Sequence, residues 1–196
     1  MRGVVYGVGI SDSGEYPAYT KGNRVTREYR CWKGMLERCY DKKAQEKHPT
    51  YKGCSVSNNF KSFQYFAEWC NNQVGFKIAN SQLDKDILVI GNKLYSEDTC
   101  CFVPKEINVL FTNRAKLRGS CPIGVSFHES AGKYQANLRT EGVLQYLGLH
   151  ANLEDAFTVY KEAKEAYVKN MAIKYKELLD EKVYAALLSW EVNMYD

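Results

Sequence analysis

No apolar run in the 196-residue sequence approaches the ~18–20 residues that a membrane-spanning helix requires, so no membrane partner is expected. Histidine is scarce: only His48, His128 and His150 are present, which leaves few neutral-pH bases and few imidazole metal ligands. The seven cysteines (31, 39, 54, 70, 100, 101 and 121) form no C-x-x-C pair. A thiolate zinc knuckle therefore lacks its usual spacing, and reduced, mostly buried thiols are the expectation. Gly7-Val8-Gly9 lacks the third glycine and the following amphipathic helix of a phosphate loop. The opening Met1–Ile10 stretch has too short an apolar segment for a secretory signal, and a cytoplasmic location follows as the expectation.

What the chain does have is aromatic weight and uneven charge. It carries 15 Tyr, 8 Phe and 3 Trp, with a formal net charge of +4. Residues 1–75 hold 12 basic and 7 acidic side chains, and residues 114–150 hold 5 and 2. Residues 151–196, by contrast, hold 6 and 9. Positive charge gathered on selected segments suits a polyanionic partner, with a solvated mixed surface as the alternative reading.

Hydrophobic spacing places the elements. Residues 1–25 are broken by glycine and read as an arm or short strand. Thr26 is placed to cap a helix in which Tyr29, Trp32, Leu36, Cys39 and Tyr40 recur at helical spacing. Residues 41–49 read as a polar loop, and Asn58 as the cap of a second helix with Phe63, Phe66, Ala67 and Cys70 on one face. Residues 83–90 read as a strand and 100–103 as another, followed by a helix opened by Pro104. After a basic linker, three strands are expected at 124–128, 133–140 and 143–150, the last two joined by the tight turn Glu141-Gly142. A helix starts from Asn152, and neither Gly nor Pro interrupts 151–196.

Two stretches carry a resemblance. Tyr29-x-x-Trp32-x-x-Met35-Leu36-x-Arg38-Cys39-Tyr40, with Leu83-Asp84-Lys85-Asp86, Gly91-Asn92, Tyr95-Ser96-x-x-x-Cys100 and Phe102, resembles phage-encoded HNH-endonuclease-like proteins. Gly124-Val125, Lys133-Tyr134-x-Ala136-x-Leu138, Tyr146-Leu147-Gly148 and Glu154-Asp155-Ala156 with Tyr160 resemble the ethylene-response-factor (ERF-like) DNA-binding domain that often follows in such proteins. The resemblance implies an α+β chain: a ββα-metal finger, then a three-stranded antiparallel sheet packed on one helix, then a C-terminal helical extension. The corresponding boundaries are 1–113, 114–172 and 173–196.

The HNH resemblance also implies a site. Asp84 and Asn108 fall on metal-ligand positions, Asn92 on the middle Asn, and Lys85 on the position of the catalytic His. Lysine is a poor replacement there, because a general base must be largely unprotonated at working pH and free lysine has a pKa near ~10.4. Lys85 is better suited to holding a phosphate. His48, in the preceding loop, is the one alternative base. Asp86, two residues from Asp84 on the expected strand, could join it in holding Mg²⁺ or another divalent ion.

In the second domain, strand alternation puts Lys133, Gln135, Asn137 and Arg139 on one face, joined by Tyr146 from the next strand. Arg114, Lys116 and Arg118 lie in the linker just before. Such a face suits the major groove of double-stranded DNA, with Arg reading guanine, Asn or Gln reading adenine, and Lys holding phosphate. The function expected is DNA binding by a protein whose finger has lost standard nuclease chemistry, as a regulator or host-manipulating factor. An active homing-like endonuclease is the alternative, and a protein-binding inhibitor of a host defence system a further one. Beyond about Met171 the apolar positions, among them Leu179, Val183, Ala186 and Trp190 at 4-3-4 steps, exceed what one small domain buries. They must fold back or pair with a second copy, and the spacing with flanking Glu177, Lys182 and Glu191 favours a homodimer.

Overall fold

Residues 3–111 and 120–194 are described by a computed structural model of the chain. Thr26 stands at the N-cap of α1 (Arg27–Tyr40), as its spacing predicts, but its hydroxyl does not cap the helix. It donates instead to the carbonyls of Pro17 (2.9 Å) and Ala18 (3.2 Å), tying down the loop that precedes the helix. One face of α1 buries Trp32, Met35, Leu36 and Cys39. The expected polar loop contains a short helix, α2 (Lys42–Lys47), because the Asp41 carboxylate accepts the Ala44 N–H at 2.8 Å. α3 (Phe63–Asn72) starts later than expected. A 3-10 turn occupies 59–61, and Ser62 rather than Asn58 caps the helix, its hydroxyl accepting from Tyr65 N–H at 3.2 Å.

Short strands complete this part. β1 (Gly3–Val5) and β2 (Gly9–Ser11) form an antiparallel hairpin. β3 (Ser55–Val56) runs parallel to β5 (Leu94–Tyr95), while β4 (Gln82–Asp84) runs antiparallel to β6 (Cys101–Val103). Pro104 then opens the single-turn helix α4 (Lys105–Asn108). The strand expected over 83–90 stops at Asp84, because one carboxylate oxygen of Asp84 accepts the N–H groups of Asp86 (2.7 Å) and Ile87 (2.8 Å) and turns the chain. Asp84 and Asp86 therefore do not share a strand face.

The three later strands form where the alternation places them: β7 (Val125–His128), β8 (Lys133–Thr140) and β9 (Val143–His150), antiparallel in that order. Both residues of the β8–β9 turn, Glu141 and Gly142, have positive φ, the conformation that a right-twisting two-residue hairpin needs. A bulge after Ala136 keeps Leu147 on the covered side, where it packs with Val125, Ala136 and Leu138. α5 (Leu153–Lys174) covers this side of the sheet with Ala156, Phe157 and Tyr160 and is capped by Asn152, whose side chain accepts Asp155 N–H at 2.8 Å. Gly124 has φ +78°, and the Tyr160 ring occupies the space that a β-carbon there would need.

The fold is thus mixed α+β with a three-stranded antiparallel sheet and helices. It divides into two units, Met1–Asn108 with Leu178–Val183, and Val109–Glu177 with Tyr184–Asp196. Residues 173–196 are divided between the two units. The helix ends at Lys174, and a second one, α6 (Glu181–Leu188), follows. Leu179, Val183, Leu187 and Val192 are buried within the single chain, and Trp190 packs edge-on against Phe111 with ring centroids 5.3 Å apart. Of the stripe expected to form a homodimer seam, Leu179 and Val183 are buried within the chain, while Ala186 and Trp190 are half-buried. Among the described residues no helix is long and apolar enough to cross a membrane.

One polar group in the second unit is costly. Lys164 of α5 is 7% exposed, and its ammonium donates to the Leu110 carbonyl at 2.9 Å with no carboxylate in an ion pair among the described residues. Burial lowers its pKa from 10.5 to about 8. Between those values the unfolded chain binds the proton that the folded chain has released, so this residue makes stability rise with pH across that interval. Urea unfolding followed from pH 8 to 10.5 should show that rise in the wild type, and Lys164→Met should flatten it.

Candidate functional site

Within the first unit, Asp84, Lys85, Asp86 and Asn108 line one cavity of about 400 Å³, so the turn after β4 and the helix after β6 bring together residues far apart in sequence. Gln82, Ser81 and Leu83 share the lining. The opposite wall belongs to α1 and its surroundings, with Arg30, Gly34, Arg38, Tyr51 and Tyr95. The sequence reading missed this wall. Arg30 and Arg38 looked like ordinary polar positions between apolar ones, and only the packing of α1 turns them toward the β4 turn.

Lys85 is no free base. It is 5% exposed, and its ammonium donates to the Asp86 carboxylate at 2.6 Å and to the Asn92 carbonyl at 2.5 Å. Asn92 clamps the other side of the same loop. Its amide donates to the carbonyls of Lys85 (2.9 Å) and Leu94 (2.5 Å) and its oxygen accepts the Leu94 N–H at 3.0 Å. Both residues hold a loop together. His48 is exposed at the end of α2, with its ring 6.3 Å from Tyr51, and it does not line the cavity. The cavity therefore lacks a histidine base.

A resident metal fits this cavity poorly. Its hard oxygen donors suit Mg²⁺ in type, but one oxygen of each aspartate is already engaged. One Asp84 oxygen takes two backbone N–H groups, Asp86 holds the Lys85 ammonium, and the Asn108 amide donates to Gln82 Oε1 at 2.5 Å. Burial raises the Asp84 pKa, against the lowering by its two backbone hydrogen bonds, and so disfavours the charge that a cation needs. Two guanidinium groups share the lining and repel a divalent ion. No group of three or more His, Cys, Asp or Glu able to hold a metal occurs among the described residues. All seven cysteines are free, and burial pushes the Cys39 and Cys100 thiols up to about 12, so neither offers a thiolate.

Arg38 differs from its neighbour Arg27. The Arg27 guanidinium is consumed by structure, donating to the Ser81 hydroxyl (2.7 Å) and the Phe76 carbonyl (2.5 Å) while lying 4.3 Å above the Phe76 ring. Arg38 donates through Nε to the Tyr95 hydroxyl at 3.1 Å and lies 5.5–5.6 Å from the centroids of the Tyr95 and Tyr51 rings. No carboxylate lies within ion-pair distance of it among the described residues.

In the second unit, the residues predicted to share a sheet face do so. Register pairs Lys133 with His128, Gln135 with Ser126, Asn137 with Tyr146, and Arg139 with Leu144. Lys133, Arg139 and Tyr146 are exposed, Tyr146 at 61%, while Gln135 and Asn137 are half-buried. Gln135 donates to the Asn137 side chain at 3.0 Å, which aligns the two amides, and Arg139 donates one N–H to the Gly142 carbonyl at 2.6 Å. Exposed Leu144 and Leu149 also stand on this face, an apolar component that strand alternation alone did not single out. Arg114, Lys116 and Arg118 lie outside the described residues. No known protein family, no curated protein and no solved structure matches this chain.

The clamp made by Asn92 can be tested directly. Asn92→Ala removes three hydrogen bonds at once from a loop that also holds a buried ammonium, and should lower stability by about 2 kcal/mol in urea unfolding.

Proposed function

We propose that this chain is a phage-type protein that binds double-stranded DNA, related to the HNH-endonuclease-like proteins with an ERF-like domain, and that its finger does not cut. The observation that carries the reading is the outward sheet face. Across two neighbouring strands it sets an ammonium, two aligned amides, a guanidinium and an aromatic ring beside exposed leucines, with the opposite face covered by a helix. Hydrogen-bonding amides and basic groups read base edges and phosphates, and apolar side chains meet thymine methyl groups. A three-stranded sheet of this shape can lay such side chains into a major groove.

Loss of cleavage rests on the cavity. At the position where the resembled family places its histidine stands a lysine whose side-chain nitrogen is tied into the loop by Asp86 and the Asn92 carbonyl. Such a site can hold a phosphate or keep the loop in shape, but it offers no group ready to deprotonate water. A role as a regulator or host-manipulating factor in the host cytoplasm follows from binding without cutting.

Incubation of the full chain with plasmid and Mg²⁺ or Mn²⁺ should give a gel shift without nicking. Nicking would establish the endonuclease instead, and absence of both would leave a protein-binding inhibitor. Lys133→Ala with Arg139→Ala should weaken duplex binding at least tenfold and reduce its salt dependence. Unchanged affinity in that double variant would remove the sheet face from the reading.

A further inference from the structure

α1 carries a row of features that the DNA-reading sheet does not use. Arg30, Gly34 and Arg38 recur every four residues, so they lie along one side of the helix, with the two arginine α-carbons ~12 Å apart along its axis. Gly34 sits in the helix interior, where glycine costs about 1 kcal/mol relative to alanine. It lines both the 400 Å³ cavity and an adjoining open groove of about 590 Å³, and a β-carbon there would meet only the Arg38 guanidinium, at 3.8 Å. That groove is otherwise lined by Arg24, Val25, Arg30, Lys33 and Glu37. The two recesses thus meet at Arg30 and Gly34 and carry Arg24, Arg30, Lys33 and Arg38 between them.

These four cations have no carboxylate partner in an ion pair among the described residues, although Glu37 lies in the groove and Asp84 and Asp86 in the cavity. Arg24, Arg30 and Lys33 are exposed. Arg38 is half-buried, its guanidinium steadied by two tyrosine rings. Cations spaced along a helix, with a residue lacking a side chain between them, let a rod of negative charge approach the backbone closely. Long flexible lysines alone would not define such a line.

We propose that the Arg30–Gly34–Arg38 side of α1, with Arg24 and Lys33, is a second binding track for the phosphodiester backbone of nucleic acid. It stands independently of the sheet face: it belongs to the other unit, makes no base contacts in this proposal, and contributes sequence-independent, salt-sensitive affinity. Two such surfaces on one chain would raise affinity through effective concentration wherever both can engage one molecule.

The test uses the full chain and a labelled short DNA duplex, with affinity followed by fluorescence anisotropy over a range of salt. Arg30→Glu with Lys33→Glu, both exposed positions that leave the core untouched, should weaken binding at least tenfold and lower the salt slope by about 2. Lys43→Glu with Lys77→Glu changes net charge equally at exposed positions outside both recesses, and should have a much smaller effect. The Arg30/Lys33 pair should also weaken binding when added to the Lys133→Ala, Arg139→Ala variant. Unchanged affinity and slope in the Arg30/Lys33 variant, or an equal loss in the Lys43/Lys77 control, would overturn the track. If the sheet variant binds as well as the wild type while the Arg30/Lys33 variant does not, the sheet reading fails and the track stands.

Discussion

Trp32 is fully buried in α1 and donates its indole N–H to the Phe60 carbonyl at 2.8 Å, and the arrangement of the first unit depends on that anchor. Its ring lies 5.6 Å from Phe63, which in turn meets Tyr29 edge-on at 5.0 Å. Phe60 continues the cluster to Phe66 and Trp69, and Trp69 to Phe102 of β6. Large rings tolerate few relative orientations, and an indole N–H buried away from water must find an acceptor. Together these constraints set the rotation of α1 about its axis. With Trp32, Met35, Leu36 and Cys39 committed to the core, Arg30, Gly34 and Arg38 are left to face the cavity and groove.

The same cluster positions the other wall. β6 contributes Phe102 to the rings and pairs with β4, so the turn after Asp84 is held at a fixed place relative to α1. Within that turn the polar groups satisfy one another: Asp84 with two backbone N–H groups, Lys85 with Asp86 and Asn92, and Asn92 with Leu94. A general base must be free to take a proton, whereas here the Lys85 nitrogen supports the loop through Asp86 and Asn92. Arg30 and Arg38, brought to the cavity by the helix, have no ion-pair partner among the described residues.

In the second unit the physical logic is simpler. A three-stranded sheet with one face covered by a single amphipathic helix leaves the other face to solvent or to a partner. The bulge after Ala136 lets β9 keep Leu147 inside while Tyr146 stays outside beside Asn137. Alignment of Gln135 with Asn137 fixes two flexible amides, which lowers the entropy that a base contact would otherwise have to overcome.

Local chemistry was enough to determine much of this protein from its sequence. The period-two alternation of 133–140 and 143–150, the Glu141-Gly142 turn, the Asn152 cap and the helical spacing of α1 each depend on neighbours a few residues away. Those elements and the grouping of the sheet-face residues were legible for that reason. Where a side chain's bonding altered the backbone, the sequence reading missed: Asp84 ends a strand that its apolar neighbours would have continued, Asp41 starts a helix inside an expected loop, and Ser62 replaces Asn58 as a cap. The tertiary structure alone decided that Lys85 is a strut, that His48 stays outside the cavity, that Leu179 and Val183 are buried in their own chain, and that Arg30 and Arg38 face the turn after β4. Each of those outcomes depends on which groups far apart in sequence are brought within a few ångströms, and packing sets that distance where local spacing does not.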